Sequence, residues 1–158
     1  MDINIMRATR RHLPAIRALY RVFVKDEYSI APLPAEHLNT NEDRTNAVLR
    51  VLDSFESPKK TWLVAMIDKA VIGTALLTIK SHPFLAGEIG RVDLVMVSKD
   101  FRRQGVGRAL MNELYELARS MGCGWMTLGV LETNEAALRM YKTSGYSHFL
   151  LELVKKVD

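Results

Sequence analysis

Val97-Ser98-Lys99-Asp100-Phe101-Arg102-Arg103-Gln104-Gly105-Val106-Gly107-Arg108 is the stretch from which the rest of the chain is read. Before it, Glu88 to Val97 is rich in β-formers and apolar residues, as a largely buried strand requires. After it, Leu110, Leu114, Leu117 and Met121 recur at helical spacing. The order is strand, glycine loop, helix. A helix start presents unpaired N–H groups that favour an anion, and glycines let phosphate oxygens approach those groups without a Cβ in the way. Arg102, Arg103 and Arg108 could add charge-assisted hydrogen bonds, although on such loops some arginines point to solvent.

The type of phosphate ligand follows from what the loop lacks. A nucleoside-triphosphate loop needs Gly-Lys followed by Ser or Thr, and none is present. A dinucleotide fingerprint needs a third small residue where this chain has Leu110, and an acidic residue at the end of the next strand, also missing. A Gly-x-Gly taken alone is equally well a tight loop at a helix start.

Working outward, Trp62 to Ile67 and Val71 to Ile79 flank Asp68-Lys69 and read as an antiparallel hairpin of buried strands. Ile3 to Arg7 reads as a first strand. Thr9 can cap a helix carrying Leu13, Ile16, Leu19 and Phe23 on one side, with Pro14 tolerated in its first turns. A second amphipathic helix is expected from about Glu42 to Phe55, with Val48, Val51, Leu52 and Phe55 on one side, and SHPFLAG (81–87) reads as a loop. Downstream, Met121-Gly122-Cys123-Gly124 ends the helix, and Trp125 to Leu131 makes a strand. Asn134 then opens a short helix stopped by Gly145, and Tyr146 to Val154 makes a last strand. The order βαα-ββ-βα-βα-β, with no repeat or linker, predicts one mixed α/β domain over residues 1–158.

Composition narrows the classes. The 158 residues are long enough for a core that needs no disulfide or metal. The net charge of +4 mildly favours an anionic ligand, but the basic residues are scattered with no interleaved aromatics, which argues against nucleic acid. Cys123 is the only cysteine, so no intramolecular disulfide or multi-cysteine zinc site can form, and a cytoplasmic setting is the simplest expectation. The longest apolar stretch, about Ala70 to Ile79, is far short of a membrane span, and the start has no apolar signal core, so a soluble protein without membrane partners is expected.

With Arg102, Gly105 and Gly107 after Val97 and Phe101, and with Asn134, Ala136, Ala137, Tyr141 and Gly145-Tyr146 downstream, the chain resembles the GNAT (Gcn5-related) N-acetyltransferase superfamily. Its motif Q/R-x-x-G-x-G/A stands here as Arg102-x-x-Gly105-x-Gly107, preceded by Val97-Ser98-Lys99-Asp100-Phe101. A second motif, an Asn past a strand, then Ala, then Tyr before a Gly-aromatic pair, stands as Asn134, Ala136 and Ala137, Tyr141 and Gly145-Tyr146. The sequence-specific likeness covers about residues 88 to 148; the N-terminal half is similar in layout only. The resemblance implies an α/β fold of the α+β type: a mixed, mostly antiparallel sheet splayed at strand 4, with helices on both faces. It also implies acetyl-CoA as acyl donor and a small-molecule or peptide amine as acceptor, acetylated by direct attack on the thioester.

Residue by residue, it implies that the main chain of Val95, Met96 and Val97 receives the pantetheine arm and polarises the thioester carbonyl, stabilising the oxyanion formed on attack. Arg102, Arg103, Gln104, Gly105, Val106, Gly107 and Arg108 would surround the pyrophosphate, and Asn134 would meet the cofactor arm as well as cap its helix. Tyr141 resembles the general acid for the departing thiolate; a phenol near about 10 and a thiol near about 8.5 are close enough for a hydrogen bond to steady the charge. Asp93 is the candidate base, with Glu88 in reserve. A Tyr on a short helix is also good core material, and Glu88 is equally a solvated strand end.

Asp26 and Glu27, read as following the first helix, hint at a cationic acceptor, and a charged surface would explain them equally. Cys123, between glycines, reads as small and inert. His12, His37, His82 and His148 have no ligand spacing, so no metal is expected. The competing reading is a non-catalytic acyl-CoA sensor; a homodimer and the identity of the amine are left open.

Overall fold

The computed structural model describes residues 2–34, 38–40, 42, 43, 46, 50, 52 and 54–157. Five strands form one sheet in the order β1-β2-β3-β4-β5: β1 Asn4–Arg7, β2 Lys60–Ile67, β3 Ala70–His82, β4 Leu85–Val97 and β5 Trp125–Leu128. The first four are antiparallel neighbours, and β5 joins β4 in parallel. Among the described residues, three helices have defined bounds: α1 Leu13–Ser29, α2 Val106–Ser120 and α3 Glu135–Thr143. The expected helix from Glu42 to Phe55 lies largely outside the described residues.

Strand alternation divides the core into two layers, because successive side chains point to opposite faces. Leu63, Ala65, Ala75 and Leu77 meet Val106, Leu110, Leu114 and Ala118 of α2. On the other face, Trp62, Val64 and Leu76 meet Ile16 of α1 and Leu52, and Phe55 stacks on Trp62. The buried stripe of α1 is Ile16, as expected, with Tyr20 and Val24 in place of Leu19 and Phe23, which lie with Leu13 at its margin. On α2, Val106, Met111 and Ala118 join Leu110 and Leu114 inside, whereas Met121 ends outside.

Three expectations change. The segment 81–87 is not a loop: β3 and β4 continue to a tight turn at Pro83-Phe84, pairing Ser81 with Glu88 and His82 with Leu85. β5 stops at Leu128 rather than Leu131. Residues 146–154 form no strand, and Phe149, Leu150, Leu151, Leu153 and Val154 are exposed. These residues have no partner strand among the described residues, and β-propensity alone does not make one.

Candidate functional site

The site begins at a defect in β4. Leu94 lies opposite Leu76 and Val92 opposite Leu77, so Asp93 is an extra residue with no partner on β3. Such a bulge bends its strand and increases its twist. On the other side of β4, pairing with β5 runs from Ile89–Trp125 to Val92–Leu128 and stops there. Pairing ends at the bulge, and among the described residues Asp93 to Val97 continue with no strand partner on the β5 side.

Backbone direction within that open stretch is fixed by one bond. Ser98 N–H donates to Ile72 O at 2.8 Å, toward β3. Because N–H and C=O alternate sides along a strand, Met96 also faces β3, while Val95 and Val97 turn their main-chain groups to the open side. The Met96 side chain is buried with Tyr20 and Val24. Of the three residues expected to present main-chain groups, Val95 and Val97 are brought to the gap and Met96 is turned from it.

A short turn, Lys99–Phe101, then leads into the glycine loop. Arg103 at φ 60° and Gly105 at φ 85° both lie in the left-handed region, so the chain reverses tightly before α2. A Cβ on Gly105 would meet nothing within 4 Å, so this glycine is needed for its backbone angle and the space above it is open. Gly107 acts by closeness: a Cβ there would lie 3.3 Å from Met140 Sδ, so α3 packs against the first turn of α2. The first main-chain bond of α2 is Ala109 N–H to Gly105 O at 2.9 Å, leaving the N–H groups of Val106, Gly107 and Arg108 at the open helix start.

The loop side chains divide into two sets. Arg103 and Arg108 are exposed and form no ion pair among the described residues. Arg102 turns away from the loop mouth: its Nε donates to Val97 O at 3.0 Å and its Nη2 meets Asp26 Oδ2 at 2.6 Å. Gln104 Nε2 donates to Asp100 O, closing the turn. Lys99 Nζ takes the other Asp26 oxygen at 2.8 Å. Partial burial would raise the Asp26 carboxyl, but hydrogen bonds from Lys99 and Arg102, with their charges, outweigh it and hold it below the ordinary carboxylate value.

The far wall is α3. Asn134 Oδ1 accepts from Ala137 N–H at 3.1 Å, the N-cap bond its residue type predicts. Tyr141 packs on the α2-side core with its ring edge-on to Tyr146, centroids 5.8 Å apart. Burial, then the negative charge of Glu27, push its phenol above the ordinary value. Asp26 and Glu27 therefore stand inside the last turns of α1, not beyond it, and Thr133 Oγ1 donates to Ile30 O just after them. This joining of α1 to both the glycine loop and the α3 side was not foreseen; two acids at a helix end with no basic residue in its last turn are the signal that was available.

Asp93 is exposed, accepts from Thr78 Oγ1 at 2.5 Å and lies 3.8 Å from Arg91 Nε. Glu88 pairs with Lys59 at 3.4 Å, about 30 Å along the strand from Val97 at the usual rise per residue. It sits at the wrong end of β4 to serve this site. Burial and the Glu88 charge raise the Cys123 thiol, making it a poor nucleophile. Among the described residues, no group of three His, Cys, Asp or Glu could hold a metal, and no helix is long and apolar enough to cross a membrane.

A strand that parts from its neighbour above a glycine loop leaves main-chain groups open beside a helix start that favours an anion. The acetyltransferase (GNAT) family model matches residues 16–146, and the chain belongs to that family. Solved structures agree in fold. An acetyl transferase assigned in Pyrococcus furiosus superposes with a TM-score of 0.77 at 21% identity, over 99% of this chain and 100% of that one. AAC(6')-Iy in complex with the bisubstrate analogue CoA-S-monomethyl-acetylneamine gives 0.72 at 16% identity, over 100% and 99%. An aminoglycoside acetyltransferase from an uncultured soil metagenomic sample, in complex with sisomicin, gives 0.69 at 13%, over 99% and 97%.

Proposed function

We propose that this chain, acting as a single domain over residues 1–158, transfers the acetyl group of acetyl-CoA to a primary amine by direct attack on the thioester. The observation that carries the reading is the gap beyond Val92 and Leu128, which turns the Val95 main chain and the Val97 N–H to the open side immediately before the glycine loop. A flexible arm ending in a pyrophosphate suits that shape. The phosphates lie against the N–H groups of Val106, Gly107 and Arg108, with Arg103 and Arg108 as cations and Gln104 and Gly105 holding the turn. Asn134 borders the arm from α3, and Met96 supports the strand from behind.

The chemistry assigns each group a step. The amine nitrogen attacks the carbonyl carbon, and Val95 N–H donates to the oxygen where charge grows. The carbon–sulfur bond breaks, Tyr141 gives its proton to the leaving thiolate, and the proton shed by the acylated nitrogen passes through water to restore the phenol, whose raised value keeps it protonated through neutral pH. An alkyl ammonium must first lose a proton, and Asp93 takes it directly or through water, its carboxylate steadied by Thr78 and Arg91. Glu27, whose charge reaches Tyr141, favours a cationic acceptor. The single Cys123 fits a cytoplasmic setting.

The test is thiol release from acetyl-CoA with a panel of amines and peptides, comparing wild type with Asp93→Asn. Amine-dependent release that falls in the variant and recovers at higher pH supports the assignment of Asp93. Acetyl-CoA binding without transfer to any amine favours a sensor instead.

A further inference from the structure

We infer that Asp26 is a positioning residue for the cofactor loop: its carboxylate gathers Lys99 and Arg102, fixing both ends of the segment that delivers β4 to the glycine turn. The inference rests on the cofactor reading above. Lys99 opens the short turn after β4, and Arg102 is the first residue past it. Each cation meets a different oxygen of one carboxylate, at 2.8 and 2.6 Å. The same Arg102 guanidinium also holds Val97 O, the last carbonyl of β4, at 3.0 Å. Strand end, turn and loop entry are thereby tied to one side chain that comes from α1, 76 residues away in the chain.

This arrangement changes the role of Arg102. Two of the five guanidinium N–H donors are spent on a carbonyl and a carboxylate, which fixes the plane of Arg102, while Arg103 and Arg108 are the loop cations with no ion pair among the described residues. Arg102 instead sets where the following backbone N–H groups point. The last turn of α1 is also held on its far side, where Thr133 Oγ1 donates to Ile30 O. Asp26 therefore connects the helix beside α3 to the loop that receives the phosphates.

The alternative is that Asp26 merely neutralises charge, and the two roles predict opposite signs. Asp26→Asn removes a negative charge near an anion site, so a neutralising role predicts tighter acetyl-CoA binding. A positioning role predicts weaker binding despite the added positive charge. Titration calorimetry should give a Kd raised about tenfold, the scale of a lost charge-assisted hydrogen bond. Asp26→Glu should recover part of the loss, and Arg102→Gln should add little to Asp26→Asn, because both break the same contact. Amide hydrogen exchange in the free protein supplies a readout that needs no ligand: residues 99–106 should exchange faster in Asp26→Asn while β2 and β3 stay unchanged. Unchanged exchange in that loop, or an Asn variant that binds acetyl-CoA as tightly as wild type, overturns the inference. If wild type itself fails to bind acetyl-CoA, the proposed function falls, and the exchange measurement still decides the clamp.

Discussion

Val92 of β4 and Leu128 of β5 form the last pair between two strands whose pairing begins at Ile89 and Trp125. One residue later β4 bulges at Asp93, and everything proposed for the chemistry lies beyond that point. Pairing with β5 before the bulge keeps Ile89 and Val92 buried in the core. Loss of pairing after it leaves the Val95 main chain and the Val97 N–H on the open side, while Val97 O accepts from Arg102.

Tyr141→Phe removes the proposed acid but keeps the ring that packs on the core and on Tyr146. We expect turnover with acetyl-CoA to fall about a hundredfold, the low end for loss of a general acid, with KM for acetyl-CoA little changed. Steady-state thiol release measures both. An unchanged turnover would leave Tyr141 as a core residue only.

Gly105 is required by its backbone angle and not by crowding. Gly105→Ala should therefore destabilise the fold by about 1–2 kcal/mol, the cost of the left-handed conformation for an L-residue. Gly124 has no such angle and open space around it, so Gly124→Ala should stay within about 0.5 kcal/mol of wild type. Urea midpoints for the two variants, compared at equal slope, check the contrast.

Leu110 is fully buried between α2 and the sheet. Leu110→Ala should cost about 2–5 kcal/mol, the transfer term plus the cavity left behind. A loss below about 1 kcal/mol in urea unfolding would mean that the α2 layer is less closely packed than described.

Much of this was legible from residues alone. The glycine loop, the helix after it and the Asp68-Lys69 hairpin follow from local angle and period requirements, which a sequence displays directly. The splay was expected only through resemblance, because a bulge at Asp93 is a mismatch between two strands, and one strand's sequence does not reveal it. The Arg102–Asp26 pair joins residues 76 apart, so no local pattern could announce it. The last strand failed for the converse reason: residues 146–154 carry a β pattern, but pairing is a property of two segments.

Tyr146 gives a pH test. Burial and the neighbouring Tyr141 push its phenol up to about 12, above the roughly 10 of an exposed tyrosine. The folded state keeps a proton that the unfolded chain gives up, so this contribution to stability is intact below about pH 10 and is lost as pH rises toward the folded value. Tyr146→Phe has no such proton to lose. Across that alkaline window the Tm of wild type should fall more steeply than that of the variant, and parallel curves would contradict the assignment.

The most direct test of the central claim is to incubate the protein with acetyl-CoA and a panel of cationic primary amines, and to analyse the amines by mass spectrometry. Appearance of an acetylated amine, dependent on protein and abolished when acetyl-CoA is replaced by free CoA, is the predicted result. Failure of acetyl-CoA to bind, with no amine acetylated, would contradict the account.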